Sequence, residues 1–281
     1  MRTNTGQILY IPKIGQRADF QHPLMKGCVG WWPLNDGGGD IAKDILDINN
    51  GTIVNSSTYN MTERGLSLYQ TGSNSQKVDI TSGTRMNFVR DCTVSAWVST
   101  TSIGNYRKIA VLGDGFGIGG FYLSIGPSAY PIYMGIRTPI GYAAAISTAG
   151  DFLTTNTFTH LVGTYDGTNI RLYRDGIEDA SNTHSGNMYD NSKPVTLGAY
   201  YSSGESWPGY LQNIRMWNRS LSSSEVLELY TNPWAGLSIP SSTRYFFVPQ
   251  LITASPKLFN IKGSSISMTS NTGRVSVRAA R

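Results

Sequence analysis

Five glutamates, three histidines and two aromatic loops hold most of the side chains that could do chemistry in this 281-residue chain. Hydrolysis of a glycosidic bond needs two carboxylates set across the scissile bond. Of Glu63, Glu178, Glu205, Glu225 and Glu228, the last two share a predicted helix, where Glu225 has a capping role. His22 precedes a proline, His160 opens a strand pattern and His184 sits in a polar loop. No G-x-S-x-G, H-E-x-x-H or P-loop occurs. The reading is a chain that is not an enzyme.

Holding a sugar asks for less: aromatic faces with a few polar groups. The loop Tyr200-Tyr-Ser-Ser-Gly-Glu-Ser-Trp207 has that composition, and so does Gly104-Asn-Tyr-Arg107. Tyr106, Tyr200, Tyr201 and Trp207 are therefore the candidate glycan-binding residues. Trp31, Trp97 and Trp217 lie on strand patterns and read as core, and Trp207 fits either role. Loop tyrosines serve protein interfaces equally well.

The elements that must position these residues are mostly strands. Gly (31) and Tyr (16) are plentiful and charged residues make up 15%, which points to a turn-rich β protein and not a helical bundle. Cys92-Thr-Val-Ser-Ala-Trp-Val98 alternates strictly, and Lys108–Leu112 and Gly120–Ile125 read as further strands. Asp166-Gly167, between Thr159–Tyr165 and Asn169–Arg174, predicts a hairpin, and Asp175-Gly176 follows at once. Gly209–Trp217 reads as a last strand. Ser222 stands three residues before Glu225, the spacing of a capping box, and Asn232-Pro233 stops the helix. Short strands at this spacing predict a jelly roll or sandwich. Cys28 and Cys92 read as two buried thiols or one bridge.

Five motifs in order carry a family resemblance. They are Gly27-Cys-Val-Gly-Trp-Trp-Pro-Leu34 with its Asn-Asp-Gly-Gly-Gly loop, Asp44…Asn50-Gly51-Thr52, Cys92–Val98, His160–Gly176, and the final strand with its Asn218-Arg-Ser-Leu-Ser-Ser-Ser-Glu225 helix start. Together they resemble laminin G-like, concanavalin A-like lectin–glucanase jelly-roll domains. The resemblance implies an all-β antiparallel jelly-roll sandwich over 25–235 with one short C-terminal helix. The E-x-D-x-x-E strand motif of related retaining glucanases is missing here. The resemblance also implies that calcium is possible. Asp44 matches a loop carboxylate of the family, with Asn50 near it, and Asp40 and Asp47 as further oxygens. The second carboxylate position falls on Gln212, which weakens a site for a hard cation.

Charge divides the chain. Residues 1–26 carry net +3, residues 27–228 net −4, and residues 229–281, which contain no Asp or Glu, net +6. Two basic arms, 1–24 and 236–281, are expected to flank the sandwich. Tyr10, Arg17, Arg244, Tyr245, Phe246, Phe247, Lys257, Lys262, Arg274 and Arg278 are their candidate partner-binding residues. Basic charges spaced this widely, without a recognised module, do not suggest nucleic acid; they suit an acidic protein surface. No apolar run is long enough for a membrane span, and the N-terminus lacks the pattern of a secretory signal. Two functions stay open. One is a virion structural protein, a bacteriophage capsid-decorating or fibre-associated subunit made in the host cytoplasm. It would be homo-oligomeric and dock on other subunits of the particle through its arms. The Asn232-Pro-Trp-Ala235 ending resembles that of such proteins. The other is a carbohydrate-binding module or adhesin that holds cell-surface glycans.

Overall fold

A computed structural model describes residues 15–238, apart from 74, 81–85, 87, 105, 114–118, 128–130, 149–152, 189–193 and 201–203. The arm residues Tyr10, Arg244, Tyr245, Phe246, Phe247, Lys257, Lys262, Arg274 and Arg278, and the loop residue Tyr201, lie outside the described residues.

The described strands are β1 (Cys28–Trp32), β2 (Ile41–Ala42), β3 (Gly51–Val54), β4 (Thr58–Thr62), β5 (Gly65–Thr71), β6 (Lys77–Ile80), β7 (Asp91–Thr100) and β8 (Arg107–Gly113). They continue as β9 (Gly119–Ile125), β10 (Ile132–Thr138), β11 (Gly141–Ile146), β12 (Thr159–Asp166), β13 (Asn169–Arg174), β14 (Ile177–Thr183), β15 (Val195–Leu197) and β16 (Pro208–Trp217). One helix, α1 (Ser223–Thr231), follows. The strands form two antiparallel sheets. The first runs β14-β13-β12-β7-β16-β5-β4 with β1 on β16, and the second runs β11-β10-β9-β8-β15-β6-β3-β2. This is the antiparallel jelly-roll sandwich that the sequence predicts.

Alternation decides which side chains meet between the sheets. Val94, Ala96 and Val98 of β7 and Leu161 and Tyr165 of β12 turn inward from the first sheet. Phe121, Leu123, Met134 and Ile136 turn inward from the second. Cys92 is buried among them and Cys28 is half-buried; both are free thiols.

The two predicted hairpins form. Asp166 and Gly167 join β12 to β13, and Asp175 (φ 49°) with Gly176 (φ 83°) closes β13 on β14 in the left-handed region that such a two-residue turn needs. The capping box also forms: Ser222 Oγ accepts the Glu225 N–H at 3.3 Å and Glu225 Oε2 accepts the Ser222 N–H at 2.9 Å. Val226 and Leu229 of α1 then pack with Trp217, Val162 and Tyr173 on the outer side of the first sheet.

A bulge in β16 between Gln212 and Arg215 lets one strand serve two neighbours. Before it β16 pairs with β5, and after it with β1. Arg215, 1% exposed, lies 3.5 Å over the Trp31 ring and donates to the Ala235 carbonyl at 2.7 Å and to that of Pro233. Burial pushes its guanidinium down to about 9. Residues at both ends of the described chain join this layer. Ala18 bridges Leu237, the Asp19 N–H donates to the Gly236 carbonyl at 2.7 Å, and Trp217 Nε1 donates to the Leu24 carbonyl at 2.6 Å. So Ala18 and Leu24, inside the expected arm 1–24, are buried on the sandwich, while Arg17 is exposed.

Candidate functional site: a tyrosine face on the second sheet

On the outward side of β8–β11 the alternating positions collect aromatic rings. Register sets the rows: Val111, Tyr122, Gly135 and Ala144 lie across one another, and Lys108, Ser124, Tyr133 and Ile146 form the next row. Arg137 stands opposite Tyr142. A bulge between Lys108 and Ala110 turns Lys108 onto this face while Ala110 stays in the core.

Small residues make the floor. A Cβ on Gly135 would come within 2.6 Å of Tyr122 Cζ and 2.9 Å of Tyr142 Cε2, so both rings rest against bare backbone there. The Tyr122 and Tyr142 rings are 5.6 Å apart and 10° from parallel. Tyr142 is 44% exposed and Tyr106, at the edge of the cluster, 37%.

The Lys108 ammonium anchors the arrangement. It lies 4.5 Å from the Tyr200 ring, 4.7 Å from Tyr122 and 5.0 Å from Tyr106, with Glu205 Oε2 at 3.2 Å. A buried ammonium is costly without such partners; the carboxylate and the negative ring faces offset its desolvation. Burial lowers the affinity of Lys108 for its proton, and Glu205 opposes that. Glu205 itself holds a left-handed backbone (φ 57°), and its carbonyl accepts the Lys108 N–H at 3.0 Å. Burial raises the phenols of Tyr122, Tyr142 and Tyr200, so the rings stay neutral hydrogen-bond donors. Ser124 Oγ is buried with no hydrogen-bond partner, beside Lys108 in register.

The predicted site residues separate. Tyr106 and Tyr200 both reach the Lys108 cluster, though Tyr200 is 5% exposed and acts as a wall, not a platform. Trp207 is a correction: it is fully buried in the core, with Nε1 donating to the Ser99 carbonyl at 3.3 Å, so no ring face is free to stack on a sugar. Lys108, Tyr122, Tyr133, Arg137 and Tyr142 were not singled out by the sequence reading, and Glu205 was weighed there only as a carboxylate for hydrolysis. The signal was small and tyrosine residues at alternate positions within single strands, Tyr122 and Ser124, then Tyr133 and Gly135.

The possible calcium ligands do not come together as a cation site. Asp44 Oδ1 accepts the N–H groups of Trp31 (2.9 Å) and Leu46 (3.0 Å), and Oδ2 those of Asn49 (2.9 Å) and Ile48 (3.4 Å). Asn50 Oδ1 accepts the Asp44 N–H at 2.9 Å. Gln212 Oε1 accepts from the Arg64 guanidinium at 3.2 Å, and its amide donates to the Arg64 and Leu66 carbonyls and to Ser67 Oγ. These oxygens are aimed at N–H donors, one of them cationic, and do not fit calcium. Among the described residues no three His, Cys, Asp or Glu side chains form a metal-binding group.

The groups that could suggest catalysis are otherwise engaged. Ser95 Oγ and His160 Nε2 are 2.8 Å apart, but Ser95 is 2% exposed and His160 1%. Burial, with Arg64 and Arg215 nearby, pushes the imidazole down to about 3, and Asp175 takes the His160 backbone N–H and not its ring. Glu225 is held by Arg219 at 2.6 Å, and Glu228 lies 3.4 Å from His22.

Two facing antiparallel sheets, the capped closing helix and an aromatic outer face define a lectin-like β-sandwich. Residues 71–227 match the family model described as the concanavalin A-like lectin/glucanases superfamily, and the chain belongs to that superfamily. No curated protein matches it. Among solved structures it is similar to domain 4 of AbnA, an extracellular arabinanase of Geobacillus stearothermophilus, in complex with arabinotriose. The identity is 15%, covering 72% of this chain and 98% of that one, with a TM-score of 0.57. It is also similar to the binding domain of Paraclostridial Mosquitocidal Protein 1, at 15% identity over 74% of this chain and 52% of that one, TM-score 0.61. A third is Trypanosoma rangeli sialidase in complex with sialic acid, at 17% identity over 75% of this chain and 34% of that one, TM-score 0.55. The chain thus spans about half of the toxin binding domain (52%) and a third of the sialidase (34%). At these identities the likeness is one of fold. Among the described residues, no helix is long and apolar enough to cross a membrane.

Proposed function

We propose that this chain is a non-catalytic carbohydrate-binding module that stacks sugar rings on the tyrosine face of β8–β11. The observation that carries the reading is the set of rings around Lys108, with Tyr142 and Tyr106 exposed and Tyr122 held against Gly135. Rings fixed in advance by packing lose little freedom when a ligand arrives, which favours affinity. The superfamily assignment supports it, as does the arabinotriose-bound relative of like fold. A glycan array followed by calorimetry on the best ligand tests it. Tyr142→Ala and Tyr106→Ala should each weaken binding about tenfold, roughly 1.4 kcal/mol. Absence of binding to any glycan, or binding indifferent to both substitutions, overturns it.

A second reading, compatible with the first, is a virion subunit of a bacteriophage, decorating the capsid or associated with a fibre. Charge favours it: residues 229–281 carry net +6 with no acid, against net −4 for 27–228. Complementary charge steers and registers neighbouring chains. The full chain should then form oligomers that dissociate as salt rises. Replacing Lys257, Lys262, Arg274 and Arg278 together by Glu should give monomers in light scattering. A monomeric native chain at all concentrations and salts removes this reading.

A further inference from the structure

Resting on the carbohydrate reading, we propose that the sugar taken by this face carries a carboxylate, and that Arg137 selects it. Arg137 lies directly opposite Tyr142 in the β10–β11 register, so both side chains leave the sheet on the same side. Two and four residues earlier on β10, Gly135 and Tyr133 belong to the same face. Arg137 is therefore the strand neighbour of the most exposed ring of the cluster, with Tyr142 44% exposed and Ile140 and Ile146 on the same hairpin 73% and 48% exposed.

The two cations of this face are in opposite situations. Lys108 is 1% exposed, paired with Glu205 and enclosed by three rings, so its charge is already used. Arg137 is half-buried, its Nε is buried without a hydrogen-bond partner, and among the described residues no carboxylate pairs with it. A guanidinium cannot shed its proton to escape that position. Its planar fork matches a carboxylate through two parallel N–H···O bonds, and such charge-assisted bonds are stronger than those to neutral hydroxyls. An acidic sugar satisfies both halves of the site at once. Its ring lies on Tyr142, and its carboxylate reaches the guanidinium one strand away. A neutral sugar would use the ring and leave the guanidinium without an anion.

Uronic and sialic acids both present this chemistry, and paired ligands separate them. Calorimetry on the full chain would compare tetragalacturonate with its methyl ester, and sialyllactose with lactose. In at least one pair the acid should bind about tenfold tighter or more. The preference should shrink as salt rises, because a half-exposed ion pair is screened. In Arg137→Gln the ratio of acid to neutral affinity should fall to about one, with an unchanged melting temperature showing that the fold is intact. Tyr142→Ala should weaken acid and neutral ligands alike. Equal affinities within both pairs, or a preference that survives Arg137→Gln, overturns the proposal. Neutral binding without acid preference leaves the carbohydrate reading standing and removes only this one. If no glycan of any kind binds, both fall.

Discussion

The rings of Tyr122 and Tyr142, from β9 and β11, meet across the intervening strand β10 over the bare backbone of Gly135, 5.6 Å apart and 10° from parallel. Neither neighbour in sequence nor local propensity brings them together; the absence of a side chain at 135 does. A Cβ there would overlap ring atoms, which are the free ends of side chains able to swing away. Gly135→Val should therefore tilt the platform with a stability cost of about 1–3 kcal/mol, typical of overpacking. Near-ultraviolet circular dichroism and glycan titration would check it: tyrosine signals change and affinity falls while the sheet signal persists.

Trp207 should behave as a core residue. Trp207→Ala should destabilise the fold by about 3–5 kcal/mol, as buried aromatic truncations do. Glycan affinity measured on the folded fraction should be retained. A denaturant melt beside a binding titration separates the two effects. Lost binding at unchanged stability would restore Trp207 to the site.

Calcium should not matter to stability, because the oxygens of Asp44 already accept four backbone N–H groups. Thermal melts in excess calcium and in excess chelator should superimpose. Asp44→Ala should lower the melting temperature equally in both, since it orphans the same buried donors.

Asp166 supplies an acid-sensitive turn. Burial opposes its charge, but Thr168 Oγ1 (2.7 Å), Arg171 Nη1 (2.9 Å) and the N–H groups of Asn169 (2.7 Å) and Thr168 (2.9 Å) outweigh it. Together they hold the carboxyl well below the usual range. A folded value below the unfolded value of about 3.9 means that the unfolded chain binds more protons in between. The stabilisation is therefore complete above pH 4–5 and is lost as pH falls through the folded value. Asp166→Asn should lower the melting temperature at pH 7, and its gap from the native chain should narrow toward pH 2. A gap constant with pH would assign the effect to geometry instead of charge.

The architecture was legible wherever local rules carry it. Strict alternation marked β7, Asp-Gly pairs marked both hairpins and with them β12 and β13, and Ser222 with Glu225 marked the start of α1. Each signal is short-range chemistry written within ten residues. The β10–β11 hairpin was not read. Its turn is Pro139-Ile140 with no Asn-Gly or Asp-Gly, and its second strand contains three consecutive alanines, Ala143–Ala145, which have little strand preference. That hairpin carries Tyr133, Arg137 and Tyr142, so the centre of the candidate site was missed with it.

The sequence by itself determined a β-sandwich of this superfamily, its hairpins, its capped helix and the split between an acidic middle and basic ends. Tertiary structure alone decided which aromatic residues face water. Trp207 and Tyr106 read alike in their loops, yet one fills the core and the other rims a platform. A bulge between Lys108 and Ala110 and sheet register across four strands set those orientations. Both depend on pairing between residues far apart in the chain, where a shift of one position sends a side chain to the opposite face.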